Sequence, residues 1–400
     1  MSASGILSHH SRTEAAAVAE FAAAYAPFVE ELAGLRPPDG IVIDAHTHLG
    51  ADEDGQTLSP EALIGFLDQA ARGARACAFA FHDPDRSPGY RRPNDRVLAW
   101  AADSGGRIVP YCRLDPADDP VREAQRCLAR GARGIKLHPR AQAFGFGDAA
   151  AEAIFAVAQD AGVPILVHAG RGMPRMDPLA DLARRFPDVT LVLAHTALAD
   201  QGMFAHRLAD HPNVLYDTSC FSPLDVVELF ARVPAERIVF ASDVPYGRPV
   251  GGLYAAMRVA ELAGLDASDR ALVAGGTMAA ALDGRTLAPT RPPRLDRVRS
   301  LNGTLQRAGT YLLMGFAAAV SGGQRPDVTR CAPWIAHARS VCRDPDPGPA
   351  GPALARIDSA LSTAEQLLTQ PPPLSLSAFG LLHGAAVIAA TEPVETPVEA

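Results

Sequence analysis

His46, His48, His168, His195 and Asp243 follow one another along the chain, each at or near the end of a short apolar run. Neutral imidazoles and a carboxylate are the donors that borderline divalent metals accept, and a metal held by such a set can activate water near neutral pH. The first two lie in Ile41-Val42-Ile43-Asp44-Ala45-His46-Thr47-His48. In a strand, residues two apart point to the same face, so both imidazoles would aim at one place. A lone histidine at a strand end is most often a satisfied core or surface residue. A series of five at corresponding positions calls for a common explanation: His168 ends Val163–Val167, His195 ends Thr190–Ala194, and Asp243 ends Arg237–Ser242.

Lys136 is the only lysine; the other 36 of the 37 lysine and arginine residues are arginine. A composition that uses arginine wherever a cation suffices keeps a primary amine at one position, and only an amine can form a carbamate or readily lose its proton. Two roles stay open. A carbamylated Lys136 could bridge two metals; an ammonium could hold a substrate anion or stabilise an oxyanion. His138 has the same strand parity and is a candidate substrate contact, as are Arg171 and Tyr246, with Arg175 and the His82, Asp83, Asp85, Arg86 cluster behind them. Asp44 and Asp217 read as supports of the metal ligands rather than ligands.

These side chains need a frame that brings distant strand ends together. Eight β-like runs occur, at 41–46, 75–82, 107–113, 133–138, 163–168, 189–195, 213–218 and 237–242, and helical patterns such as Pro60 to Gly73, Pro120 to Arg130 and Ala149 to Ala161 lie between them. This alternation specifies an α/β fold with a parallel sheet, and eight units favour a (β/α)8 TIM barrel, whose active sites lie at the C-terminal ends of the strands. An open doubly wound sheet is the alternative, and no glycine-rich dinucleotide loop follows the first run.

The chain of 400 residues divides at two places. Residues 1–39 carry an amphipathic helix over 12–34 with Val18, Phe21, Tyr25, Phe28 and Leu32 on one stripe; 40–288 form the barrel; after Pro289, Pro292 and Pro293, 289–400 form an all-α appendage. Its four helices are expected at 294–320, 327–342, 352–369 and 376–390, with Thr391 to Ala400 disordered. No run reaches the ~20 apolar residues of a membrane span.

A net charge of −8 and a pI near 5.8 argue against nucleic-acid binding. Six scattered cysteines without a CxxC pair read as reduced core thiols, and without a secretory signal the expected location is cytoplasmic. The expected partner is a small-molecule substrate, not a membrane; homo-oligomerisation through the C-terminal helices is left open.

Asp44-Ala45-His46-Thr47-His48, Gly134-Ile135-Lys136-Leu137-His138-Pro139, Leu166-Val167-His168-Ala169-Gly170, Leu193-Ala194-His195-Thr196 and Ala241-Ser242-Asp243 together resemble the amidohydrolase superfamily. Within it they are most similar to the amidohydrolase-related group that includes aminocarboxymuconate-semialdehyde decarboxylase. The resemblance covers about residues 40–285. It implies one divalent metal, zinc first, on His46, His48, His168 and Asp243, with His195 orienting or deprotonating water and Asp243 also moving protons. A second metal with carbamylated Lys136 between the two is the variant. The activity implied is hydrolysis of a small molecule by a metal-activated water, with Lys136, His195 and Asp243 catalytic. Non-oxidative decarboxylation of an unsaturated or aromatic carboxylate is the alternative, and an inactive scaffold or interaction protein ranks last. A Ser or Cys nucleophile finds no support, since Gly-x-Ser-x-Gly is absent.

Overall fold

A computed structural model describes residues 3–38, 40–170, 175–220, 222–293, 302–320, 327–370 and 375–393. Eight parallel strands line the barrel: β1 (Ile43–Ala51), β2 (Arg75–Ala80), β3 (Ile108–Pro110 and Cys112–Arg113, joined by Tyr111), β4 (Ile135–Leu137), β5 (Ile165–Val167), β6 (Leu191–Leu193), β7 (Val214–Asp217) and β8 (Ile238–Val239). Within β3, the Tyr111 N–H bonds back to Ala78 of β2 while the Cys112 N–H bonds forward to Gly134 before β4. The ring is completed where the chain after β8 meets β1: Ala45 N–H donates to Phe240 O at 2.9 Å, Asp243 N–H to His46 O at 2.9 Å and His48 N–H to Val244 O at 3.0 Å.

The helices that follow the strands are α2 (Pro60–Ala70), α3 (Arg91–Asp103), α4 (Pro120–Ala129), α5 (Ala149–Ala161), α6 (Asp177–Arg185), α7 (Gln201–Arg207), α8 (Pro223–Arg232) and α9 (Pro249–Leu262), and α1 (Ala3–Leu35) precedes them all. Four begin with proline, where a missing N–H costs nothing because the first helical N–H groups have no partner in the helix. Ser59 caps α2 by accepting the Ala62 N–H at 3.2 Å. Gly162 ends α5 at φ +63°, a conformation favoured for glycine.

Inside the barrel, Ile43, Cys77, Val109, Leu166, Val192 and Leu215 form a closed apolar cluster with Met278 and Leu282 from the short helix Thr277–Leu282, which plugs one end. Gly134 makes room for this filling, because a Cβ there would sit 2.4 Å from the Tyr111 ring. The barrel is thus packed below its functional groups, which leaves one open end for chemistry.

The tail forms α10 (Gly303–Val320), α11 (Ala332–Cys342), α12 (Gly351–Thr369) and α13 (Ser375–Thr391). α13 lies against α1, α8 and α9 as well as its own tail neighbours, so a continuous apolar core runs from Phe21 and Phe28 of α1 through Tyr254 of α9 to Leu382 and Ile388. Phe21 and Phe28 rest on Gly380 and Gly384, whose missing side chains let the two helices approach. The expectation of disorder from Thr391 onward is corrected at its start: Thr391 is buried in α13, and Arg258 of α9 bonds Thr391 Oγ1 and Glu392 Oε2 at 3.2 and 2.7 Å. Residues 394–400 and 294–301 lie outside the described residues. All six cysteines are free thiols, and among the described residues no helix is long and apolar enough to cross a membrane.

Candidate metal centre

β1 carries His46 and His48 on one side, beside a register shift between Asp44 and Thr47. Such irregularities re-aim side chains next to functional sites. Both imidazoles meet Asp243, which follows β8: His46 Nε2 and His48 Nε2 lie 3.1 and 2.9 Å from Asp243 Oδ1. These three residues offer ligand atoms that all lie within 4.8 Å of one another. Asp243 has φ +57°, the left-handed region that aspartate tolerates better than most residues, and its N–H bond to His46 O holds it there. Burial pushes its carboxyl up, but the charges of His46 and His195 and the hydrogen bond from His48 outweigh that and hold it below the usual carboxylate range.

Asp217, at the end of β7, organises the surrounding groups. Its Oδ2 lies 2.9 Å from His46 Nδ1, and its Oδ1 accepts the His195 N–H at 2.8 Å, the Ser219 N–H at 2.9 Å and the Ser219 hydroxyl at 2.6 Å. With Nδ1 donating to Asp217, the lone pair of His46 is on Nε2, facing Asp243. Asp44 supports the opposite side, its Oδ1 accepting the N–H groups of His46 and Ser242; burial pushes its carboxyl up to about 7.

His195 follows β6 at φ +57°. Its Nδ1 lies 2.7 Å from Ser219 O, which a neutral imidazole can satisfy only by donating, so its Nε2 carries the lone pair. His168 Nδ1 lies 2.9 Å from that Nε2. The same logic makes His168 Nδ1 the donor and leaves its lone pair on Nε2. His168 is therefore joined to His195 rather than to the group of three, and its ring stacks on His138 with centroids 3.8 Å apart. Burial pushes His138 and His168 well below the usual histidine range, as it does His46.

Lys136 is wholly buried in β4. Its Nζ lies 3.2 Å from His46 Nε2 and 4.5 Å from the centre of the Phe79 ring, and burial pushes its ammonium down to about 7. Tyr246 stands edge-on to His48 and donates its hydroxyl to Asp52 at 2.9 Å. Arg171 lies outside the described residues. Arg175 is exposed and pairs with Asp177 at 3.5 Å. Arg86 pairs with Glu53, and Asp83 and Asp85 with Arg96, so these loop residues serve one another.

Sequence reading passed over Arg113. It sits in β3 in register with Lys136, is 1% exposed, and has Nε and Nη2 without a hydrogen-bond partner. The signal was available: Arg113 closes an apolar run, Val109 to Cys112, at inward parity with Tyr111. Beside Asp243 opens a small cavity of about 60 Å³, lined by Ser219 and Tyr246, by Phe21 and Tyr25 of α1 and by Phe379 and His383 of α13.

The fold and these side chains define a (β/α)8 barrel with a candidate divalent-metal centre at one end. The family model described as Amidohydrolase matches residues 43–283, and the chain belongs to this family. α1 and the tail helices fall outside that match. Among solved structures, 4-oxalomesaconate hydratase from Rhodopseudomonas palustris is similar at 17% identity over 61% of this chain and 96% of that one, with a TM-score of 0.48. 5-Carboxyvanillate decarboxylase from Sphingomonas paucimobilis is similar at 14% identity over 61% and 99%, with a TM-score of 0.45. An uncharacterized TIM-barrel protein from Bordetella bronchiseptica is similar at 15% over 61% and 98%, with a TM-score of 0.46. Comparison with curated proteins gives no match.

Proposed function

We propose that this chain is a metal-dependent hydrolase of the amidohydrolase type that acts on a small molecule and holds one divalent ion, zinc first, on His46, His48 and Asp243. The observation that carries the reading is the convergence of His46 Nε2 and His48 Nε2 on Asp243 Oδ1 at 3.1 and 2.9 Å. The donor set fits the ion: two imidazole nitrogens and a carboxylate oxygen suit zinc, and Asp217 fixes the tautomer of His46 that leaves Nε2 free to ligate. Bound there, the ion supplies Lewis acidity and lowers the pKa of water from ~15.7 toward neutrality.

The remaining chemistry belongs to the chain's own residues. His195 accepts a proton at Nε2, because Ser219 O occupies its Nδ1–H. His168 donates its Nδ1–H to that same nitrogen and holds the His195 ring in place. Lys136 as an ammonium stabilises developing negative charge, and as a carbamate it would instead bridge two ions. His138 and Tyr246 flank the substrate. Decarboxylation of an unsaturated or aromatic carboxylate uses the same donors and is the second reading, favoured by the buried cations Lys136 and Arg113 beside the centre.

The test is metal content per chain in protein purified without chelator, for wild type, the double variant His46→Ala/His48→Ala, and His195→Ala. About one ion per chain is expected, lost in the double variant and kept in His195→Ala, while turnover on a panel of amides, lactones and aryl carboxylates falls ~10²–10⁴-fold in His195→Ala. No metal after reloading overturns the reading. About two ions, dependent on Lys136, would replace the single-ion form with the bridged one.

A further inference from the structure

Arg113 brings a permanent charge into the barrel and, among the described residues, meets no acid there. Residues paired in parallel register share a sheet face, and Lys136, its partner on β4, reaches His46 inside the barrel. Arg113 therefore also points inward. Its guanidinium lies over the Tyr90 ring at 5.1 Å, and Nη1 donates to Ala80 O at 3.2 Å. Asn94 clamps the backbone from both sides, accepting the Arg113 N–H at 2.9 Å and donating to its carbonyl at 3.0 Å. The group is fixed before any ligand arrives.

Its other two nitrogens, Nε and Nη2, are buried without a hydrogen-bond partner among the described residues. They occupy one edge of the planar guanidinium, and that edge presents two parallel N–H groups at the spacing of a carboxylate's oxygens. Among the described residues no carboxylate lies within ion-pair distance. Asp52 accepts the Tyr246 hydroxyl at 2.9 Å instead. A buried, unpaired cation is a costly arrangement, and arginine does not relieve it by losing its proton. Arg113 is in register with Lys136, whose Nζ lies 3.2 Å from His46 Nε2, so it faces the same chamber as the candidate centre.

We propose that the Nε/Nη2 edge of Arg113 is a carboxylate-binding site, and that the substrate is a small organic carboxylate whose anionic group sits on Arg113 while its reacting group faces His46, His48 and Asp243. This deepens the reading given above and rests on it. The competing explanation is that Arg113 is structural and ties β3 to β2 through Ala80.

The experiment is calorimetric binding of sodium benzoate and of neutral benzamide to wild type, Arg113→Met and Arg113→Lys. Each is measured as purified and after chelator treatment, with metal content and melting temperature recorded. Wild type is expected to prefer benzoate by about tenfold or more. Arg113→Met should bind the two alike and melt at or above the wild-type temperature, because an apolar side chain of similar length removes a buried charge. Arg113→Lys should recover only part of the preference, since an ammonium lacks the two-pronged edge. No preference in wild type, or a preference that survives in Arg113→Met, overturns the proposal. Should Arg113→Met fail to fold, a full wild-type preference in Arg113→Lys overturns it and a partial one supports it. An Arg113-dependent preference in a chain that never holds metal would leave this site standing and sink the metal reading; metal on the three ligands without that preference would do the reverse.

Discussion

Asp217 Oδ2 lies 2.9 Å from His46 Nδ1, while its Oδ1 holds the main-chain N–H of His195 at 2.8 Å. One buried carboxylate thus orients a candidate ligand from β1 and anchors the segment that carries the candidate base after β6. The two roles are coupled through a single residue that touches neither metal nor substrate in the proposed arrangement.

Replacing Asp217 with asparagine tests this coupling. The side chain keeps its size, but an amide cannot accept from His46 on one side and from three donors on the other. The expected result is a 10–100-fold loss of metal affinity with the helical and sheet content intact, read by competition against a chelating dye and by circular dichroism. Unchanged affinity would show that His46 is oriented by other contacts.

The centre was legible where local periodicity decides side-chain direction. His46 and His48 are two residues apart in a strand, and their Nε2 atoms converge as that period requires. Asp243 is nearly two hundred residues away in sequence, and only the count of eight strand–helix units places it beside them. His168 was harder, because its bond to His195 depends on the turn at 195–198, where four consecutive residues have positive φ. Arg113 shares the inward parity of Tyr111 at the end of an apolar run, but composition obscured that sign, as one arginine among 36 does not stand out. The contact of α13 with α1 had a sequence sign: Ser375–Thr391 contains no Asp, Glu, Lys or Arg, and a helix apolar on all sides belongs inside a protein. Which helix it meets follows from Phe21 and Phe28 fitting over Gly380 and Gly384, a match that no one-dimensional pattern reveals.

Gly384→Ala should destabilise the fold. A Cβ at that position would lie 2.4 Å from the Phe28 ring, so either α13 or α1 must shift. Overpacking of this kind costs about 1–3 kcal/mol, against a gain of up to about 1 kcal/mol from alanine's helix propensity. Gly34→Ala in α1 is the control, since nothing lies within 4 Å of its Cβ position and the propensity gain should appear alone. Urea midpoints should move in opposite directions for the two variants. Parallel shifts would remove the close approach of α1 and α13 as the cause.

His383 should make stability depend on acid. It lines the cavity beside Asp243, where burial pushes its imidazole down to about 4, whereas in the unfolded chain it titrates near ~6.5. Above that pH the imidazole is neutral in both states and contributes no pH dependence. As pH falls from about 6.5 toward 4, the unfolded chain takes up a proton that the folded protein refuses, so stability drops; below about 4 both states are protonated and the loss levels off. The full effect is roughly 3 kcal/mol. His383→Gln removes the titrating group, so the stability difference between wild type and variant should change by about 2 kcal/mol or more between pH 7.5 and 4.5, with wild type losing ground. Taking the difference cancels the carboxylates that titrate in both proteins. Equal losses in the two proteins would mean that the folded protein accepts the proton at His383 as readily as the unfolded chain does.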